Sequence, residues 1–187
     1  MSISDKTKSW IDNFHFVSKE VETHFAGLNL ETLYAKPHPQ QWSIAENLQH
    51  LITINRSYYP IFDNLKRGTY HGAFIGRFPF FTKMFGDMVF KSISDGGKKK
   101  YKTFPLWEPK VEIGDPEIIG RFMVHQREFE EKIKEMIPFL EKNAVIHSPA
   151  NKLIVYTLER AFDIITAHEL RHLDQAKRAL EAITNKR

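Results

Sequence analysis

His168 and His172 stand four residues apart in the stretch His168-Glu169-Leu170-Arg171-His172. On a helix that spacing stacks two imidazoles on successive turns of one face, close enough to share one metal ion. Ile154, Leu158, Ala161, Ile165, His168, His172, Gln175, Ala179 and Ala182 recur in alternating steps of four and three. Such a heptad-like seam faces a bundle interior. An imidazole there loses its hydration unless its nitrogens find partners, so the two readings are a hydrogen-bonded core pair and a metal site. The same five residues also spell the H-E-x-x-H pattern of zinc proteases. That chemistry is rejected, because Gln175 and Arg178 occupy the positions where a metzincin needs Gly and His. Only 15 residues follow His172, too few for a Glu ligand on a further helix. Glu169 leans away from the seam centre, a flank position compatible with a role behind the ligands.

A third ligand has to come from another helix. His50, His24 and His125 each lie near an apolar face, and spacing does not choose among them. His15, His38, His71 and His147 fall on polar faces or in loops and read as solvent-exposed. The chain has no Cys, which removes disulfides, Cys-ligated zinc, iron–sulfur clusters and a protein-borne thiol nucleophile.

Four helical blocks are expected to position these residues. In the first, from about Ser4 to Leu28, Trp10, Phe14, Val17, Val21, Phe25 and Leu28 form one apolar face, and Pro37 and Pro39 lie in the linker Glu31–Gln41 that follows. The second opens on a capping box, Ser43 with Glu46, and carries Leu48, Leu51, Ile54, Tyr58, Phe62 and Leu65. Pro60 should kink or shorten it, and Gly68 ends it. Asp115-Pro116 opens the third as a capping acid followed by Pro, and Pro138 marks its end. The fourth runs from about Ala150 to Thr184. No comparable run alternates with period two, so no sheet is expected, and the pattern predicts an all-α four-helix bundle in one domain over residues 1–187.

The connection between helices 2 and 3, about residues 68–114, differs in kind. Lys66 to Lys110 carries a net charge of +7 and ten of the 24 aromatic residues, leaving −3 on the rest of the chain. A basic aromatic stretch could bind nucleic acid or a membrane surface, but a solvated connection with aromatic anchors explains it more simply. It is expected to fold over one end of the bundle, with a short helix from Phe80 to Ile93. Hydrophobic content of 42% excludes disorder. The polar N-terminus and the lack of a long apolar run point to a cytoplasmic protein with no membrane partner.

Trp42-Ser43-Ile44-Ala45-Glu46-Asn47-Leu48-Gln49-His50-Leu51 resembles the W-S-x-x-E-x-L-x-H-L segment of the DinB/YfiT-like superfamily. His168-Glu169-Leu170-Arg171-His172-Leu173-Asp174-Gln175 resembles that family's H-x-x-x-H-x-x-Q segment, and Lys102-Thr103-Phe104-Pro105-Leu106-Trp107-Glu108-Pro109 resembles the stretch before its third long helix. The chain departs from the commonest pattern after Thr103, where Phe104 precedes the Pro. The resemblance implies a DinB-type four-helix bundle, often a homodimer, with a divalent ion (Zn, Ni, Fe or Mn) on His50, His168 and His172. Glu46 and Gln175 are then the candidates for orienting ligands or substrate, with Glu169 behind them. Characterised members include bacillithiol and mycothiol S-transferases and a thiol-dependent maleylpyruvate isomerase. The implied function is a transferase that activates a low-molecular-weight thiol for attack on an electrophile. The alternatives are a metal-dependent hydrolase using bound hydroxide and a non-enzymatic, stress-related binding protein that uses Lys98-Lys99-Lys100. No nucleic-acid partner is expected, because no DNA-reading motif is present.

Overall fold

The first helix shows why the long elements form where they do. In α1 (Ile3–Phe25) the Ser2 hydroxyl accepts from the Asp5 amide while the Asp5 carboxylate accepts from the Ser2 amide, and Trp10, Phe14, Val17, Val21 and Phe25 are buried along one face. The structure, a computed structural model, describes residues 1–94, 103–111 and 114–185. Lys98-Lys99-Lys100 lie outside the described residues. No helix among those described is long and apolar enough to cross a membrane.

After a short α2 (Leu30–Tyr34) capped by Asn29, in what the sequence reads as linker, the chain enters α3 (Ile44–Arg56) and α4 (Tyr59–Arg67). These two are one block divided beside Pro60, as expected, and Gly68 ends α4 at φ +70°. α5 (Pro79–Ile93) is the helix anticipated inside the long connection. The next long helix, α6 (Ile118–Glu135), starts later than expected. Asp115 does not cap it: its Oδ1 accepts from the Glu117 amide at 2.8 Å and its other oxygen pairs with Arg121. Pro138 lies in a further short turn, α7 (Ile137–Leu140).

The largest correction concerns the region before the last helix. A hairpin is present, with β1 (Val145–Ser148) antiparallel to β2 (Asn151–Thr157), and α8 (Leu158–Thr184) begins only after it. Ile154 therefore belongs to a strand and not to the helical seam. β-Branched residues on both sides, Val145 and Ile146 against Val155 and Thr157, favour the extended pairing. Thr157 then caps α8 by accepting from the Arg160 amide at 3.1 Å.

α1 packs on α6 and α8, and α3 packs on the same two, so these four helices close a ring. α5 lies across β2 and α8. The apolar interior divides into two clusters. One gathers Phe14, Phe62, Phe129 and Phe162, and the other Val21, Leu48, Phe122 and Leu173. Between them lies a buried polar layer: His50 and Asn55 from α3, His125 and Gln126 from α6, and Thr166, His168, Glu169 and His172 from α8.

Candidate metal centre

His50 from α3 and His168 and His172 from α8 meet in that layer. The His168 Nε2 lies 3.4 Å from the His50 Nε2 and 3.1 Å from the His172 Nε2. All three rings are buried, and their candidate ligand atoms lie within 4.8 Å of one another. Two nitrogens bound tetrahedrally to one ion at 2.0–2.1 Å stand about 3.3 Å apart, so the spacing fits one ion on three imidazoles.

The other ring nitrogens decide which way the lone pairs point. His50 Nδ1–H donates to the Trp107 carbonyl at 2.7 Å. His172 Nδ1–H donates to Asn47 Oδ1 at 2.8 Å. The Asn47 amide is itself oriented, because its Nδ2 donates to the Ser43 carbonyl at 2.9 Å. Both rings therefore carry their hydrogen on Nδ1 and present a bare Nε2, the tautomer a metal ligand needs. His168 Nδ1 is buried with no hydrogen-bond partner among the described residues. Burial pushes the His50 ring down to about 4. Burial also holds His168 and His172 well below the ordinary value, reinforced by the positive charge each ring would place on its neighbours. Three neutral imidazoles at neutral pH are a donor set suited to a divalent ion.

Around the rings the chain builds a wall and an opening. The Trp42 indole lies 4.7 Å from the His50 ring and 5.6 Å from that of His172. Trp107 is fixed from its other side, its indole N–H donating to Ser57 Oγ at 3.1 Å. The histidines open into a cleft of about 1680 Å³ between α3, α5 and α8.

The remaining candidates separate. Glu46 lines the cleft, but its oxygens accept from the Ser43 amide at 2.8 Å and from Lys36 at 2.7 Å. Gln175 lines the cleft one turn beyond His172. Glu169 faces away from the cleft and is fully buried, its oxygens accepting from Asn55 and Gln126 at 2.7 Å each. Burial raises its carboxyl to about 7 against the pull of those two donors. No hydrogen bond joins it to the three histidines.

His125 is buried too, but it meets Asn55 at 3.2 Å in the Glu169 network and does not join the triad. His24 is on the surface beside Glu20. Two orienting groups escaped the sequence reading. Asn47 carried a signal, since it lies one turn before His50 on α3. The Trp107 carbonyl carried none beyond its place in the Lys102–Pro109 stretch.

A sequence model of the DinB superfamily matches residues 13–176. No curated protein and no solved structure matches the chain.

Proposed function

The chain belongs to the DinB superfamily, and on that footing we propose that it is a metal-dependent transferase joining a small thiol to an electrophile. The observation that carries this reading is the convergence of three imidazole Nε2 atoms, two of them held bare by their Nδ1–H bonds, at the wall of a large cleft. Three protein ligands leave an ion with open positions, the catalytic arrangement and not the closed structural one. A divalent ion there supplies Lewis acidity, ionising a thiol or lowering the pKa of water to about 7.

The protein's own residues do the rest. His50, His168 and His172 hold the ion, with Asn47 and the Trp107 carbonyl fixing two of the rings. Trp42 shields them from solvent on one face. Gln175 is placed to orient whatever enters beside His172. Because the chain has no Cys, the thiol is a cosubstrate. Transfer makes a sulfur–carbon bond, expels the leaving group with its electron pair and gives the thiol proton to solvent. A homodimer is part of the same expectation, read by analytical ultracentrifugation.

The test is metal content of the purified protein beside His168→Ala, followed by thiol consumption with a panel of thiols and electrophiles. Stoichiometric Zn, Ni, Fe or Mn in the parent and loss in the variant is the expected result. Equal metal in both would sink the site. Turnover of esters or amides without any thiol would replace transfer by hydrolysis.

A further inference from the structure

The cleft reaches well past the histidines, and its lining changes character along its length. On α8 the lining runs from Ile164 to Ala182, roughly 27 Å of helix. α3 runs antiparallel to α8: Asn47 meets His172, while Tyr58, just past its end, meets Tyr156 just before α8. α5 runs in the same direction as α8, with Asp87 pairing with Arg160 and the Ser92 carbonyl accepting from Arg171.

These registers sort the charged lining residues. Arg171, Arg178 and Glu181 on α8, and Lys91 next to Ser92, lie level with the histidines or beyond them. Glu46 precedes His50 by one turn, and Glu108 follows the Trp107 that holds His50. The other half of the cleft, toward the start of α8, is lined by Ile54, Val89, Ile154 and Ile164 and by no charged side chain among the described residues.

That apolar arm ends on three hydroxyls. Tyr58 Oη and Tyr156 Oη are 2.8 Å apart, and the Ser148 hydroxyl, which accepts from the Ala150 amide at 3.3 Å, also lines this arm. All three line the cleft, yet they are only 3%, 1% and 7% exposed. The two phenolic hydroxyls carry two protons, and the contact joining them uses one. One O–H remains to be given, and no other acceptor among the described residues takes it. Burial holds Tyr58 well above the ordinary value and pushes Tyr156 to about 12, so both stay protonated.

We propose that this arm binds an uncharged, elongated substrate, with its apolar body along the isoleucines and a terminal oxygen acceptor on the hydroxyl group of Tyr58, Tyr156 and Ser148. The reacting end then lies at the histidines, roughly 12 Å away, since eight residues of helical rise separate His50 from Tyr58. Charged cosubstrate is confined to the other half. The substrate class rests on the metal-centre reading, but binding in the arm does not need the metal.

The probes are 2-octanone and its isostere 2-methyl-1-octene, which replaces the carbonyl oxygen by a methylene. Calorimetric titration of the full chain, zinc-loaded and metal-free, should show stoichiometric binding of the ketone. Shifts of the Ile54 and Ile164 methyl signals should accompany it. In Tyr58→Phe/Tyr156→Phe the preference for ketone over alkene should fall about tenfold, the worth of one buried hydrogen bond. Removing both hydroxyls together leaves neither tyrosine partner orphaned, and Ser148→Ala provides a second, milder variant. An unchanged preference in both variants would overturn the proposal, as would folded parent protein that binds neither probe or shifts only cleft residues beyond His172. His168→Ala separates the two readings. Ketone binding retained in a protein that never held metal removes the metal centre alone. Metal bound without ketone removes the arm alone.

Discussion

Replacing Asn47 by Ala removes the hydrogen-bond acceptor that the described residues give the His172 Nδ1–H, at 2.8 Å in a buried setting. In the metal-free variant the ring answers by moving its hydrogen to Nε2 or by turning, so little stability is lost there. Metal binding then has to restore the Nδ1–H tautomer with nothing to receive it, at a cost of about 1–3 kcal/mol for an unmet buried donor. That translates to a loss of about 10- to 100-fold in zinc affinity, the range measured for such supporting groups. Asn47→Asp keeps the acceptor but gives up the donor to the Ser43 carbonyl, so it should recover most of the affinity while lowering stability. Competition with a chromogenic chelator reads the affinity, and Gln49→Ala, on the opposite flank of α3 beside Arg121, is the control. Zinc affinity within twofold of the parent in Asn47→Ala would refute the claim that this amide orients His172.

Other consequences are open to measurement. Burial pushes His125 from 6.5 to about 3, so between those values the unfolded chain holds a proton that the folded one lacks. The stability from this ring is complete above pH 6.5 and is lost as pH falls toward 3, at about 1.4 kcal/mol per pH unit. His125→Gln should flatten the stability–pH curve by that slope between pH 4 and 6 in urea titrations, and parallel curves would contradict it. Gly86→Ala on α5 would place its Cβ 2.9 Å from Arg160 Cγ and 3.3 Å from Tyr156 Cβ. Crowding of about 1–3 kcal/mol should outweigh the helix-propensity gain of about 1 kcal/mol, so a rise in thermal midpoint would show the α5–α8 contact to be looser than described. Ser43→Ala should cost about 1 kcal/mol by removing the α3 cap yet leave metal content intact; loss of metal would mean that the cap also holds the site.

The sequence betrays the residues whose partners are near in the chain, and hides those whose partners are distant. His168 and His172 stand out because one helix carries both. His50 could not be separated from His24 and His125 by spacing, since what fixes it, the Trp107 carbonyl, lies 57 residues away. Ile154 misleads because its step of four to Leu158 satisfies a helical seam, while its place in β2 depends on the pairing of the next three residues, Val155, Tyr156 and Thr157, with His147, Ile146 and Val145 across a turn. Glu169 reads as a flank residue if the seam is the one buried face. α8 is in fact packed by α1, α3 and α5, so more than one of its stripes faces inward. Pro60, a purely local effect, was legible without help.

The polar layer between the two apolar clusters works as an index mark against axial slippage. Sliding α8 by one turn would carry Glu169 to the level of Ile165 or Leu173, where no amide waits for it. Asn55 and Gln126 would lose their shared acceptor at the same stroke. Each unmet group costs about 1–3 kcal/mol, whereas the apolar contacts above and below would exchange one aliphatic side chain for another at less expense. The histidines span α3 and α8 at this same level. Their mutual placement is therefore set by a carboxylate and two amides that do not touch them.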